Sequence, residues 1–316
     1  MPSPHATFTI RPTAQTDIDA IEKLTRDVFW SFWEPGYTVH HNHLAISVLR
    51  GAEGYVPELD LVAVDDETDE IVGHVIYTRS MIVPTAGAKG QGDASDHHMP
   101  SDVIAAVAAQ GPVSDGIEVL TFGPLTVRQD RQGTGIGRAL VEHSFAEILR
   151  LGMLSGQGRR PAVVTLGVPD YYPHLGFMRG AEFGITFAGH SFDALLAYPL
   201  VEGALDGVSG DLVVDPAHAK LTPEAAAEFD KKFPPRAPYL PTPIETLTGA
   251  VGQVAVDKLR SAEIDTVDAI TGYSQDELAA LTHLSPEKLT LVAAAVREAT
   301  GQRWGRGQHR RAEPRV

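Results

Sequence analysis

Phe122-Gly-Pro-Leu-Thr-Val-Arg-Gln-Asp-Arg-Gln-Gly-Thr-Gly-Ile-Gly-Arg-Ala-Leu-Val141 changes character twice. Up to Val127 it is apolar and β-branched, the composition of a buried strand. Gly133, Gly135 and Gly137 then interrupt it, and from Ile136 onward apolar residues recur at helical spacing. The pattern predicts a helix over Gly135–Leu151, with Ile136, Leu140, Phe145, Ile148 and Leu149 on its inner face and Gly152 at its stop. A strand that feeds a glycine-rich turn opening a helix is an anion cradle. The first N–H groups of the helix have no acceptor within it, and the helix dipole favours negative charge there. The ligand expected is a phosphorylated cofactor.

Spacing narrows the choice. A dinucleotide loop is G-x-G-x-x-G, whereas here the third glycine, Gly137, comes one residue early and Arg138 holds its place. A P-loop is G-x-x-x-x-G-K-[ST], and no such string occurs in the chain, which removes the main support for nucleotide hydrolysis. What remains is Q-x-x-G-x-G, carried by Gln132, Gly135 and Gly137. Farther on, the β-branched stretch Pro161–Val168 reads as a second strand, followed by Pro169-Asp-Tyr-Tyr-Pro-His-Leu-Gly-Phe177, in which Tyr172 stands four residues before Gly176-Phe177. In this order the two motifs resemble the pyrophosphate loop and the Y-x-x-x-G-F signature of the GNAT superfamily of acyl-CoA-dependent N-acetyltransferases. The similarity spans roughly Thr7 to Pro235 and takes in Pro57–Val64, Ile71–Val75, Glu182–Ile185, Glu202–Leu205 and Glu228–Phe233. It implies an α+β fold: a mixed, mostly antiparallel sheet with flanking helices, in which two neighbouring parallel strands part to admit the pantetheine arm of acetyl-CoA.

Acetyl transfer to an amine needs a deprotonated nucleophile, a donor for the developing oxyanion and an acid for the thiolate. The resemblance implies that the loop Gln132, Gly133, Thr134, Gly135, Ile136, Gly137 and Arg138 holds the pyrophosphate. The backbone of Leu125, Thr126 and Val127 would bind the pantetheine amides as an added strand does, one N–H there polarising the thioester carbonyl. Tyr172, with an ordinary pKa near 10, stays protonated and can serve the leaving sulfur. The base is not readable, because the position on the preceding strand where some family members carry a glutamate falls near Phe122. Glu118 and His74 are candidates, beside a water relay or an amine that arrives neutral. The aromatic stretch Phe29–Trp33 runs into Glu34, so Phe32, Trp33 and Glu34 are candidate walls of the acceptor pocket; the same aromatics could instead cap the core. The acceptor, a small-molecule or peptide amine, stays open, as does a non-catalytic reading in which the protein only senses acyl-CoA.

Composition bounds the alternatives. With 43% hydrophobic and 21% charged residues the chain is an ordinary globular one, and its 316 residues suggest two domains. It has no cysteine, which excludes disulfides, thiolate metal sites and transfer through an enzyme thioester. Met1–Ala14 has no apolar signal-type core and no run of about 18 apolar residues occurs, so a cytoplasmic protein with no membrane span is expected. A net charge of −15 disfavours nucleic acid as a bulk partner and mildly favours cationic amines. His40, His41 and His43 lack partners at helical spacing, so no metal is expected. Gly189-His-Ser-Phe-Asp193 departs from the hydrolase elbow G-x-S-x-G at its last position and leads into alternating residues, so a hairpin turn is expected there.

The remainder divides by composition. The sheet domain is expected over 5–235, a proline-dense linker over 236–243, a small all-α domain over 244–301 and a basic tail of disordered composition over 302–316. Short helices are expected at Asp265–Ile270, Ser274–Leu281 and from Ser285 to Val296, with a capping box at Ser274 and Glu277. This region resembles the helix-hairpin-helix-like domains of nucleic-acid enzymes, but their G-x-G hairpin is Thr282-His-Leu-Ser285 here. Ile244–Thr300 holds nine acidic and four basic residues, which favours a protein partner over nucleic acid and leaves oligomeric state open.

Overall fold

Alternation of apolar and polar residues organises most of the chain into one sheet. The computed structural model describes residues 7–30, 42–84, 116–156, 159–169, 171–236, 242–270, 273 and 275–300. Phe32, Trp33, Glu34, His40, His41, the loop 85–102, Ser274 and the tail 302–316 lie outside the described residues. Two compact units emerge: the first holds the sheet and closes at Arg236, the second begins at Ala237, and the short turn Arg128–Thr134 goes with the second.

The strands are β1 (Phe8–Pro12), β2 (Leu61–Asp65), β3 (Ile71–Val83), β4 (Ile117–Val127), β5 (Arg159–Leu166), β6 (Met178–Arg179), β7 (Ile185–Thr186), β8 (Leu195–Pro199) and β9 (Gly210–Val213). They pair in the order β1-β2-β3-β4-β5-β8-β6, with β9 against the end of β3 and β7 beside β9. Every pairing is antiparallel except β4–β5 and β7–β9. The acidic turn between β2 and β3 is held by Asp65, whose side chain accepts from the N–H groups of Glu67 and Thr68. No elbow helix follows Ser191; Phe187 and His190 bridge across a turn and β8 comes next.

Both faces of the sheet are covered. Helix α1 (Ile18–Phe29) and helix α2 (Asn42–Arg50) set Ile21, Ala45, Ile46 and Leu49 against Val62, Val64 and Ile76. Helix α3 (Ile136–Arg150) lies on the opposite face, packing Ile136, Leu140, Val141, Phe145 and Ile148 on Leu61, Ala63, Val75, Leu120 and Phe122. That each β2 residue goes to the face opposite its neighbour is the period-two rule of a strand, and each fully buried aliphatic there is worth about 2 kcal/mol. Leu149 does not belong to the inner face. It is 48% exposed, because it stands one helical step beyond Ile148, and Val141 fills the stripe instead. Helix α4 (Pro223–Asp230) and the residues after it are clamped to α1: Arg26 donates to Asp230 at 2.6 Å and Lys232 pairs with the buried Glu22.

The second unit is helical, with its own core of Ile244, Leu247, Val256, Leu259, Ile264, Val267, Leu278, Val292 and neighbours. Its helices are α5 (Thr248–Val251), α6 (Gln253–Ser261), α7 (Val267–Ile270), α8 (Gln275–Thr282) and α9 (Pro286–Thr300). Gly252, with φ +85°, turns the chain from α5 into α6, and His283, with φ +51°, turns it from α8 toward α9. The two hairpins are tied reciprocally: Lys258 Nζ donates to the His283 carbonyl and Lys288 Nζ to the Val251 carbonyl, both at 2.8 Å. No helix among the described residues is long and apolar enough to cross a membrane.

Candidate active site

The parallel strands β4 and β5 pair only at Glu118 with Arg159 and Leu120 with Val163. Beyond that they part, and the last tie across is the Thr165 hydroxyl donating to the Phe122 carbonyl at 3.1 Å. The cause sits in β4. Between the pairs Val75–Leu125 and Tyr77–Phe122, the two residues Gly123 and Pro124 oppose the single residue Ile76. Such a bulge bends its strand, and a proline within it removes a ladder donor. Leu125, Thr126 and Val127 therefore pair with Val75, His74 and Gly73 of β3 on one side, while no described strand claims their other edge.

After Val127 the chain makes one short turn, Gln129–Arg131, closed by the Thr134 hydroxyl on the Arg131 carbonyl at 2.6 Å. Gly133 and Gly135 take φ +74° and +95°, values that favour glycine, and Gly135 caps α3 with no side-chain hydrogen bond. The first helical bond is Ala139 N–H to the Gly135 carbonyl at 2.9 Å. The N–H groups of Gly135, Ile136, Gly137 and Arg138 thus have no intrahelical acceptor. A side-chain carbon built on Gly133 or Gly135 would meet no described atom within 4 Å. Arg138 donates to the His174 carbonyl at 2.7 Å and pairs with Glu142, which joins α3 to the tyrosine turn.

That turn, Tyr172–Leu175, places the Tyr172 ring among Phe122 at 5.7 Å, Phe177 at 5.4 Å and Tyr171 at 5.0 Å between centroids. Tyr172 also lies on the bare Cα of Gly167, just past the end of β5. The ring therefore stands where β4 and β5 separate. It is 8% exposed, and burial, reinforced by Tyr171 and Tyr77, holds its pKa well above the ordinary phenol value. Tyr171 reaches the other way, its hydroxyl oxygen 2.6 Å from where a Cβ on Gly137 would be, so adjacent tyrosines face the strand split and the first turn of α3.

The two candidate bases are placed elsewhere. Glu118 sits at the start of β4, the opposite end from the loop, between Arg79 at 2.9 Å and Arg159 at 3.4 Å. His74 is fully buried and faces α1 and α2, across the sheet from Tyr172. It contacts Asp60 at 2.9 Å, and Asp60 also accepts from Tyr55 at 2.7 Å and pairs with Arg50 at 2.7 Å. Burial lowers the His74 pKa against the pull of Asp60. The Asp60 carboxyl, pushed up by burial, is nonetheless held below the usual range by His74, Thr13 and Tyr55. The geometry makes this cluster a brace between β2, β3 and α2. His43 is likewise inside the fold, 3.1 Å from Asp230. Among the described residues no three His, Asp or Glu side chains gather as a metal would need.

A scan of protein-family models finds no match for the sequence, and a search of curated proteins finds none either. Solved structures do match. In fold, the chain is similar to GNAT family N-acetyltransferases. The Escherichia coli GNAT family N-acetyltransferase YhbS, in complex with CoA, is 21% identical over 69% of this chain and 94% of that one, with a TM-score of 0.48. A GNAT family acetyltransferase from Brucella melitensis, in complex with acetyl-CoA, is 21% identical over 67% and 99%, with a TM-score of 0.43. Arabidopsis thaliana NAA60, in complex with acetyl-CoA, is 18% identical over 61% and 98%, with a TM-score of 0.34.

Proposed function

We propose that the sheet unit is an acetyl-CoA-dependent N-acetyltransferase acting by direct transfer to an amine. The observation that carries this reading is the coincidence of three features on one side of the split. Past Phe122 no described strand other than β3 pairs with β4, a glycine turn whose helix-starting amides have no intrahelical acceptor follows, and a buried, protonated phenol stands at the separation. The fit to the cofactor is chemical. A pyrophosphate needs several donors converging without side chains in front, which the loop Gln132–Arg138 offers. A pantetheine arm carries amides, which match the strand backbone of Leu125 and Thr126, beside which no described strand other than β3 lies. When bound, acetyl-CoA supplies an activated acyl thioester. The residues of this chain bind and orient it, and the Tyr172 hydroxyl provides the hydrogen-bond donor at the leaving sulfur.

Glu118 and His74 stand away from the split, so water takes the amine's proton or the amine arrives neutral. The reading of the helical unit as a protein-binding module is likewise a proposal, resting on its acidic balance. Mixing the full chain with acetyl-CoA and a panel of amines and peptides, and measuring thiol release, tests the function. Acceptor-dependent release is expected. Tight acetyl-CoA binding without release under any acceptor would favour an acyl-CoA sensor.

A further inference from the structure

Gly167 follows β5 and precedes the tyrosine turn. Its backbone gives no reason for glycine: its φ is not positive, and its N–H donates to the Ala194 carbonyl at 2.9 Å in an ordinary extension of the β5–β8 pairing. The reason is the ring. A Cβ at Gly167 would lie 2.1 Å from Cε2, 2.6 Å from Cδ2 and 3.0 Å from Cζ of Tyr172. Those are ring atoms and not the free end of a flexible chain, and Phe122, Phe177 and Tyr171 hold the ring on its other sides. Gly133 and Gly135 differ, since there the backbone angle itself favours glycine and no described atom lies within 4 Å of a built Cβ.

We propose that Gly167 is a positioning residue for acetyl transfer: its missing side chain is the seat of the Tyr172 ring and sets where the phenol stands between β4 and β5. The inference rests on the reading of Tyr172 as the group at the sulfur. An alanine would adopt the same backbone, displace the ring and leave the pyrophosphate loop untouched. Small displacements of a positioned group are costly in rate because alignment, not affinity, is lost.

The test is a double-mutant cycle on the full chain. Gly167→Ala should lower kcat by roughly tenfold or more while the calorimetric Kd for acetyl-CoA moves by less than about twofold. In the Tyr172→Phe background the same substitution should add almost nothing, because the hydroxyl it misplaces is already gone. Wild-type turnover in Gly167→Ala overturns the proposal. Equal losses in both backgrounds overturn it too, and leave Tyr172 its role. Wild-type turnover in Tyr172→Phe alone overturns the reading of Tyr172 and the positioning role with it. If Gly167→Ala fails to fold, Gly167→Ala/Tyr172→Ala decides. Recovery of a folded chain supports the seat, and continued failure overturns it.

Discussion

The turn before α3 and the hairpins of the helical unit use similar backbone geometry to different ends. Gly135, Gly252 and His283 all take positive φ at or just ahead of a helix start. At Gly135 no side-chain hydrogen bond caps the helix, and no described atom lies within 4 Å of where a Cβ on Gly133 or Gly135 would be. In the helical unit the two lysines beside the hairpins are spent on carbonyls, Lys258 on His283 and Lys288 on Val251. A left-handed residue before a helix is therefore not itself an anion site. What matters is whether donors are left open and where the nearby charge goes.

Tyr172→Phe keeps the ring and deletes the hydroxyl, so turnover should fall roughly 10²-fold with acetyl-CoA affinity nearly intact, as steady-state kinetics and calorimetry would reveal. Next in size is the loop. Gly135→Val both opposes the backbone at φ +95° and fills the space in front of the amides, so acetyl-CoA affinity should drop more than tenfold, about 1.4 kcal/mol or more. Gly252→Ala is the matched control in the helical unit, and it should leave that affinity where it was. Equal effects from the two glycines would dissolve the distinction between the turns.

A smaller effect concerns the buried brace of the sheet unit. Folding lowers the pKa of His74 through burial, so below about pH 6.5 the unfolded chain takes up a proton that the folded chain refuses. Stability should therefore fall as pH drops from about 7 toward the lowered folded pKa, by at most about 1.4 kcal/mol per pH unit for this one group. His74→Gln retains a donor for Asp60 and cannot titrate, so denaturant midpoints between pH 7 and 5 should show a flatter slope. His218, also lowered by burial, keeps the slope from vanishing. The smallest expected change is in the hairpins: Lys288→Met should cost the helical unit about 1 kcal/mol by chemical denaturation, the typical net worth of one hydrogen bond in a part-buried position, with acetyl-CoA affinity unmoved. Salt-sensitive binding of duplex DNA by the wild-type chain at low micromolar concentration would contradict the account of these lysines.

Local signals made the strand–loop–helix unit readable, because apolar spacing and glycine placement act over a few residues: Ile136, Leu140, Phe145 and Ile148 are buried as their spacing demands. Leu149 shows the resolution of that method, since one step of helix carries a residue from core to solvent. The separation of β4 from β5 has a sequence trace in Pro124, which sits poorly inside a central strand, but which neighbour the strand leaves depends on the order of the whole sheet. His74 and Asp60, fourteen residues apart, meet only because β2 and β3 pair, so His74 could look like a base when read alone. Gly167 was invisible for a related reason: a glycine after a strand reads as a turn, and the ring that explains it comes from the next turn of chain.

The two residue pairs that join β4 to β5 have a mechanical consequence. The β1–β2, β2–β3, β3–β4 and β5–β8 ladders hold four residue pairs or more, so this junction is a seam in the central sheet, with β5, β8 and β6 on its far side. A polar arm lying between β4 and β5 would act as a stitch across the seam. Bound cofactor should then slow amide hydrogen exchange in β5 and β8 more than in β1 and β2, so that occupancy of the site is written into the stiffness of one half of the protein.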